Sequence, residues 1–219
     1  MSSDATGAKP PAAIDRMSGE LRKADLQDAA TQLFSERGYD GSSLQEIADR
    51  IGILKGSVYY YYQSKEDLLF DIVKAIHDEH LENVRMLAAR PGDPMQRLHA
   101  VLVGHAIFVC DNLVKTTVFL RELERLPAER QAEILRPDHS YQRVFRDLIV
   151  EAQDAGLVAA GVSPKLASLW ILGSLNWLHR WYCPSVSSGP EQVAEQFADQ
   201  LTRGIKPSAL WEFHGPSHE

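Results

Sequence analysis

Lys55, Gly56 and Ser57 stand just ahead of Val58 and four consecutive tyrosines, Tyr59 to Tyr62. An ammonium, a hydroxyl and phenols all donate hydrogen bonds, and phenol rings also stack. Such a set suits a surface that meets the phosphates and base edges of a nucleic acid. Four successive helical positions cover the whole circumference of a helix, so the tyrosines cannot all be core residues. Val58 and Tyr62, at i and i+4, are the expected inward pair, leaving Tyr59, Tyr60 and Tyr61 to face elsewhere at least in part. Other chemistries find less support. The run Gly52 to Ser57 lacks the Gly-x4-Gly-Lys spacing of a phosphate loop and follows no strand pattern. No GxSxG occurs, and the two cysteines, Cys110 and Cys183, form no CxxC or zinc spacing. His77-Asp78-Glu79-His80 puts two imidazoles at i and i+3, but a metal site needs a further ligand, and an exposed helix face is the expected explanation. No catalytic residue, cofactor or metal is assigned, and a metal-dependent enzyme or sensor is the weakest reading.

The element that must position these residues runs from Ser42 to Leu68. Leu44, Ile47, Ala48 and Ile51 fall on one face of a short helix, and Ser43 with Glu46 forms a capping box at its start. Gly52 ends that helix, Ile53 and Leu54 turn the chain, and a second short helix opens at Lys55: a helix-turn-helix. Ahead of it, a helix from about Gly19 to Arg37 carries the stripe Leu26, Ala29, Ala30, Leu33 and Phe34, with Gly38 as its stop. Behind it, Ser64 caps a long helix that reaches about Arg90 before Pro91-Gly92-Asp93-Pro94. Arg22 and Lys23 at an exposed helix start, and Lys65 beside free N–H groups at a helix N-terminus, are candidate phosphate contacts. With Ser43 and Gln45 on the first short helix, the candidate DNA contacts are Arg22, Lys23, Ser43, Gln45, Lys55, Gly56, Ser57, Tyr59, Tyr60, Tyr61 and Lys65.

The remaining pattern stays helical. Helices are expected over Met95 to Cys110, Leu113 to Arg125, about Pro137 to Ala155, Ser163 to Tyr182 and Pro190 to Gly204, with a short turn before Leu135. The Ser163-Pro164 helix is apolar nearly all round. Leu166, Leu169, Trp170, Gly173 and Trp177 line one side, and Ile171, Leu175, Leu178 and Tyr182 the other. Such a helix must be covered on both sides, and one copy of this chain offers too few elements to do so. Residues 1–18 and 208–219 read as tails, the first of them disordered.

The 219 residues are 44% hydrophobic with a formal net charge of -7, enough for a sizeable core. An acidic total argues against strong non-specific DNA affinity, since that comes from Lys and Arg on phosphates. Modest non-specific binding with a marked salt dependence is expected. Without a secretory h-region, a spanning apolar run or a disulfide framework, a soluble cytoplasmic protein is expected.

The run ERGYDGSSLQEIADRIG, followed by KGSVYYYYQSKEDLL, within Leu26 to Leu69, closely resembles the DNA-binding domain of the TetR/AcrR family of bacterial transcriptional regulators. Leu54 departs from the pattern, standing where many members carry a polar cap. The resemblance implies an all-α homodimer of about nine helices. It divides the chain into a DNA-binding head (19–65) and a ligand-binding and dimerisation domain (66–207), whose last two helices pair between subunits. It also implies a repressor that binds a palindromic operator and is released by a small molecule. Candidate ligand contacts on the central helices are His105, Phe108, Phe119, Arg121, Trp170, Ser174, Asn176 and Trp177, though ordinary core packing accounts for each as well. Asn176 to Tyr182, Pro184 and GPEQVAEQFADQLTRGI resemble regulators of fatty-acid and steroid breakdown that sense acyl-CoA thioesters, with Arg85, Arg97 or Arg121 as the cations such a ligand needs. A sensor of lipophilic drugs controlling an efflux pump is the alternative.

Overall fold

A computed structural model describes residues 12–136, 141–185 and 188–207, with side chains from residue 22 onward. It is all-helical, with no strand among the described residues. The expected tail after residue 207 and the helix start near Pro137 lie outside them. Two compact units divide the chain at Ile72.

The first unit contains α1 (Ala12–Arg37), α2 (Leu44–Arg50), α3 (Lys55–Tyr61) and the opening turns of α4 (Lys65–Ala88). The first helix starts at Ala12, so residues 12–18 belong to α1 and are not a disordered tail. Ala12 and Ala13 follow Pro11 directly, and with Arg16 and Met17 they are good helix formers that offset the poorer Ser18 and Gly19. Leu26, Ala30 and Phe34 of α1, Ile47 and Ala48 of α2, Val58 of α3, and Leu68 and Leu69 of α4 are completely buried. These α4 residues explain why the unit ends inside that helix at Ile72 and not before it. Two ion pairs tie the helices: Arg50 to Glu36 through both guanidinium nitrogens at 3.2 and 2.7 Å, and Arg37 to Glu46 at 2.7 Å.

The second unit runs from Val73 through α5 (Pro94–Asp111), α6 (Leu113–Glu122), a 3-10 turn (Leu123–Arg125), α7 (Ala128–Ile134), α8 (Tyr141–Asp154), α9 (Pro164–Asn176), α10 (Leu178–Trp181) and α11 (Pro190–Arg203). Its core is built around α5, which packs against α8, α9, α10 and α11. Leu98, Leu102 and Val109 of α5 meet Phe145, Ile149, Ile171, Leu175 and Ala198 there, all fully buried. Eleven α-helices stand among the described residues where about nine were expected. The short turn before Leu135 is a true helix, α7, and the expected Ser163 to Tyr182 helix breaks at Trp177. The break has a local cause: the His179 ring donates Nδ1–H to the Asn176 carbonyl. The Arg180 N–H then bonds Trp177, three residues back, at 3.0 Å. No single helix among the described residues is long and apolar enough to cross a membrane.

Candidate nucleic-acid interface and ligand cavity

In the first unit, α2 begins with the expected capping box. Ser43 Oγ accepts from Glu46 N at 3.2 Å and the Glu46 carboxylate accepts from Ser43 N at 2.9 Å. Gly52, at φ +69°, reverses the chain in a conformation that only glycine adopts cheaply. The next helix forms although Leu54, its N-cap, supplies no side-chain hydrogen bond; Leu54 instead lies 81% exposed. What holds α3 is its inward pair, Val58 at 0% and Tyr62 at 4% exposure. Tyr62 Oη donates to Asp71 at 3.2 Å, and burial raises the phenol well above its ordinary pKa. With that pair buried, the opposite side of α3 is fixed outward. Lys55, Gly56 and Ser57 are exposed, Tyr59 is half exposed and Tyr60 is 84% exposed. Tyr61 is half-buried, its ring edge-on to Tyr60 at 5.0 Å. A side chain at Gly56 would meet nothing within 4 Å, so the backbone there is open to a close approach. Lys55, an ammonium with no ion pair among the described residues, completes a donor-rich surface.

The other candidate DNA contacts are placed less uniformly. Arg22, Ser43 and Gln45 are exposed, with Gln45 donating to Asp49 at 2.7 Å. Lys23 pairs with Asp71 at 2.8 Å. Lys65 turns into its own unit: Nζ donates to the carbonyls of Tyr39 and Ser42, both at 2.8 Å, and lies 4.1 Å from the Tyr39 ring centre. That ammonium braces the loop between α1 and α2.

The second unit contains a cavity of about 360 Å³ between α4, α5, α6, α8 and α9. His105, Phe108, Phe119 and Asn176 of the candidate ligand contacts line it; Arg121, Trp170, Ser174 and Trp177 do not. Arg121 is exposed, 3.9 Å from Glu122. Ser174 returns its hydroxyl to the Trp170 carbonyl at 2.9 Å. Trp170 and Trp177 are 48% and 60% exposed on the outer flank of α9, with Leu166 and Leu169. Arg97 pairs with Glu151, and Arg85 lines a separate cleft with Lys74 and Arg136, so none of the expected arginines reaches this cavity.

The sequence reading missed His77, His80, Thr116, Tyr141 and Gln142, all on the cavity wall. His77 and His80 are not an exposed helix face: His77 is only 4% exposed. The signal was present, since both share the α4 stripe of Val73, Ile76 and Val84 at helical spacing. No cluster of three His, Cys, Asp or Glu suited to a metal ion occurs among the described residues. His80 belongs to a polar chain. Its Nε2 lies 2.9 Å from Tyr141 Oη, which lies 2.6 Å from His105 Nδ1, while His105 Nε2 lies 3.1 Å from Asn176 Oδ1. Because an amide oxygen only accepts, the chain has one direction. His105 donates to Asn176, Tyr141 donates to His105, and His80 donates to Tyr141. Burial pushes the His105 imidazole down to about 3. Burial, with the neighbouring His105 and His77, pushes His80 down to about 2. Both are therefore neutral at physiological pH. Phe108 stacks on His80 at 3.9 Å, and no Asp, Glu, Lys or Arg occurs among the described residues that line the cavity.

Residues 26–72 match the family model described as bacterial regulatory proteins, tetR family, and residues 91–205 match the tetracyclin repressor-like C-terminal domain. The HTH-type transcriptional repressor KstR2 of Mycobacterium tuberculosis is 24% identical over 196 residues, covering 88% of this chain and 98% of the relative. Among solved structures, a TetR/AcrR regulator from Thermobifida fusca is 38% identical with a TM-score of 0.66, covering 85% of this chain and 99% of that one. AibR, solved with isovaleryl coenzyme A and operator DNA, is 27% identical with a TM-score of 0.74, covering 85% and 98%.

Proposed function

From the premise that the chain belongs to the TetR family of bacterial regulatory proteins, DNA-binding transcriptional regulators, we propose that it is a homodimeric repressor released from its operator by an acyl-CoA thioester. The observation that carries the DNA half is the outward face of α3, anchored by Val58 and Tyr62 and offering Lys55, Ser57, Tyr59 and Tyr60. Two such helices in successive major grooves need a spacing of about 34 Å and a palindromic operator. Pairing through α9 and α11 gives the exposed flank of Leu166, Trp170 and Trp177 a partner surface. The work of this protein is binding rather than catalysis, and its place is the cytoplasm.

The effector half is supported by the cavity and by AibR, which was solved with a CoA thioester and DNA. A mostly apolar cavity of about 360 Å³ with no charged side chain among its described lining residues suits an acyl group, leaving the CoA phosphates outside. α4 supplies Leu68 and Leu69 to the head core and Ile76, His77 and His80 to the cavity wall. A ligand that binds one arrangement of this helix better shifts operator affinity by that difference. For the alternative, a sensor of lipophilic drugs, a cationic drug would call for a carboxylate, and none occurs among the described residues that line the cavity. The test is an operator-release assay by fluorescence anisotropy with a series of acyl-CoA thioesters. Release by some chain length and none by free CoA is expected; no release across the series would remove the CoA assignment.

A further inference from the structure

Two residues of the cavity wall each have a buried polar atom without a hydrogen-bond partner among the described residues: His77 at Nε2 and Thr116 at Oγ1. Their residues are 4% and 6% exposed, so water does not satisfy them freely, and native folds rarely leave such groups bare. Thr116 differs from the other described helical threonines. Thr31, Thr117 and Thr202 each return the hydroxyl to the carbonyl four residues back, at 2.7, 2.7 and 2.8 Å. The Thr116 amide bonds the Asn112 carbonyl at 2.9 Å, yet its hydroxyl forgoes that acceptor and is buried without a partner among the described residues.

The character of His77 follows from its other nitrogen. Nδ1 lies 3.3 Å from Asp78 Oδ1. Burial alone would raise the Asp78 carboxyl, but Lys74 at 2.6 Å and His77 hold it below the usual carboxylate range. A carboxylate only accepts, so Nδ1 carries the proton. Burial keeps the ring neutral, and Nε2 is left as a bare lone pair. In the His80–Tyr141–His105–Asn176 chain, both His105 nitrogens, the Tyr141 hydroxyl and His80 Nε2 already have partners.

We propose, building on the effector reading above, that the buried end of the effector carries a neutral hydrogen-bond donor, a hydroxyl, held between His77 Nε2 and Thr116 Oγ1, and that these two residues set the specificity of the cavity. The rest of the ligand lies against Phe108, Phe119, Leu120 and Leu172. No Asp, Glu, Lys or Arg occurs among the described residues that line the wall, so they supply no counter-charge to a charged group. A site built to bond a hydroxyl discriminates against the analogue lacking it, because its own polar atoms are then left unpaired.

The test uses the full-length protein and two matched pairs of probes, 3-hydroxybutyryl-CoA with butyryl-CoA and phenol with benzene. The second pair contains no CoA and is small enough for such a cavity. Binding is measured by titration while the histidine ring nitrogens are followed by 15N NMR. The hydroxylated member of each pair is expected to bind about tenfold tighter, or about 1.4 kcal/mol. The His77 Nε2 resonance moves only with that member. Thr116→Val and His77→Phe are each expected to bring the ratio of affinities within each pair down toward one. Equal binding within both pairs, with the Nε2 resonance unmoved, overturns the proposal even where thioesters release the operator. Conversely, thioesters that fail to bind while phenol keeps its advantage over benzene uphold it and remove the CoA assignment alone. Failure of all four probes to bind overturns both.

Discussion

Thr116 and His77 sit in the cavity wall at a cost to the ligand-free fold. An unsatisfied buried hydroxyl costs about 1–3 kcal/mol, so Thr116→Val, which keeps the shape and removes the demand, is expected to stabilise the ligand-free protein by about 1 kcal/mol. Calorimetry should read this as a melting temperature a few degrees higher, and a lower one would mean that the hydroxyl is already satisfied. The histidine chain makes a second prediction. His80 and His105, depressed by burial to about 2 and about 3, stay neutral in the fold while an unfolded chain protonates near the ordinary value of 6.5. The unfolded state therefore binds protons first as the pH falls. Stability is full above about pH 6.5 and declines toward pH 3, by up to about 1.4 kcal/mol per pH unit for each histidine. Urea unfolding at pH 7.5 and pH 5 measures the slope, and equal stabilities at the two would contradict it.

At the level of the element, α3 is held by two buried residues and no cap, which leaves its outer face free for recognition and its start weak. Replacing the exposed Leu54 with serine, the residue type an N-cap favours, is expected to add about 0.5–1 kcal/mol to the stability of the head. Thermal unfolding monitored by circular dichroism checks it. The outer face itself is tested by Lys55→Ala and Tyr60→Ala. Both side chains are exposed, so each variant should fold as the parent does yet bind operator about tenfold more weakly, at a rough 1–3 kcal/mol per specific contact. Lys55→Ala alone should also lower the salt slope of binding by about one. Unchanged operator titrations in both variants would mean that α3 is not the reading helix. Lys65 belongs to a different class, because its ammonium braces Tyr39 and Ser42 and its loss should show first as instability.

For the molecule as a whole, the outer flank of α9 is the feature that a single copy leaves open. Leu166 at 65%, Trp177 at 60%, and Leu169 and Trp170 at 48% exposure are the exposed apolar residues there, with Trp181 of α10 at 44%. Surfaces of this kind mark association, and a two-fold pair would cover each copy with the same patch of the other. Trp177→Glu is expected to convert a dimer to a monomer in sedimentation and to abolish operator binding while leaving the helical content intact. A protein that sediments as a monomer before any substitution would sink the two-site reading of the operator.

The head was legible from the chain alone, because caps, stop glycines and apolar stripes act within a turn or two of themselves. Ser43 with Glu46, Gly52 at positive φ, and Val58 with Tyr62 all stand where spacing put them. The cavity was not legible in the same way. It draws on α4, α5, α6, α8 and α9, and an apolar or polar residue on such a helix faces a core, a hollow or a partner according to what packs against it. Trp170 and Trp177 went outward, and His77 and His80 went inward, for that reason. Local periodicity fixes which side of a helix avoids water, whereas the company that side keeps is settled by contacts between residues scores of positions apart.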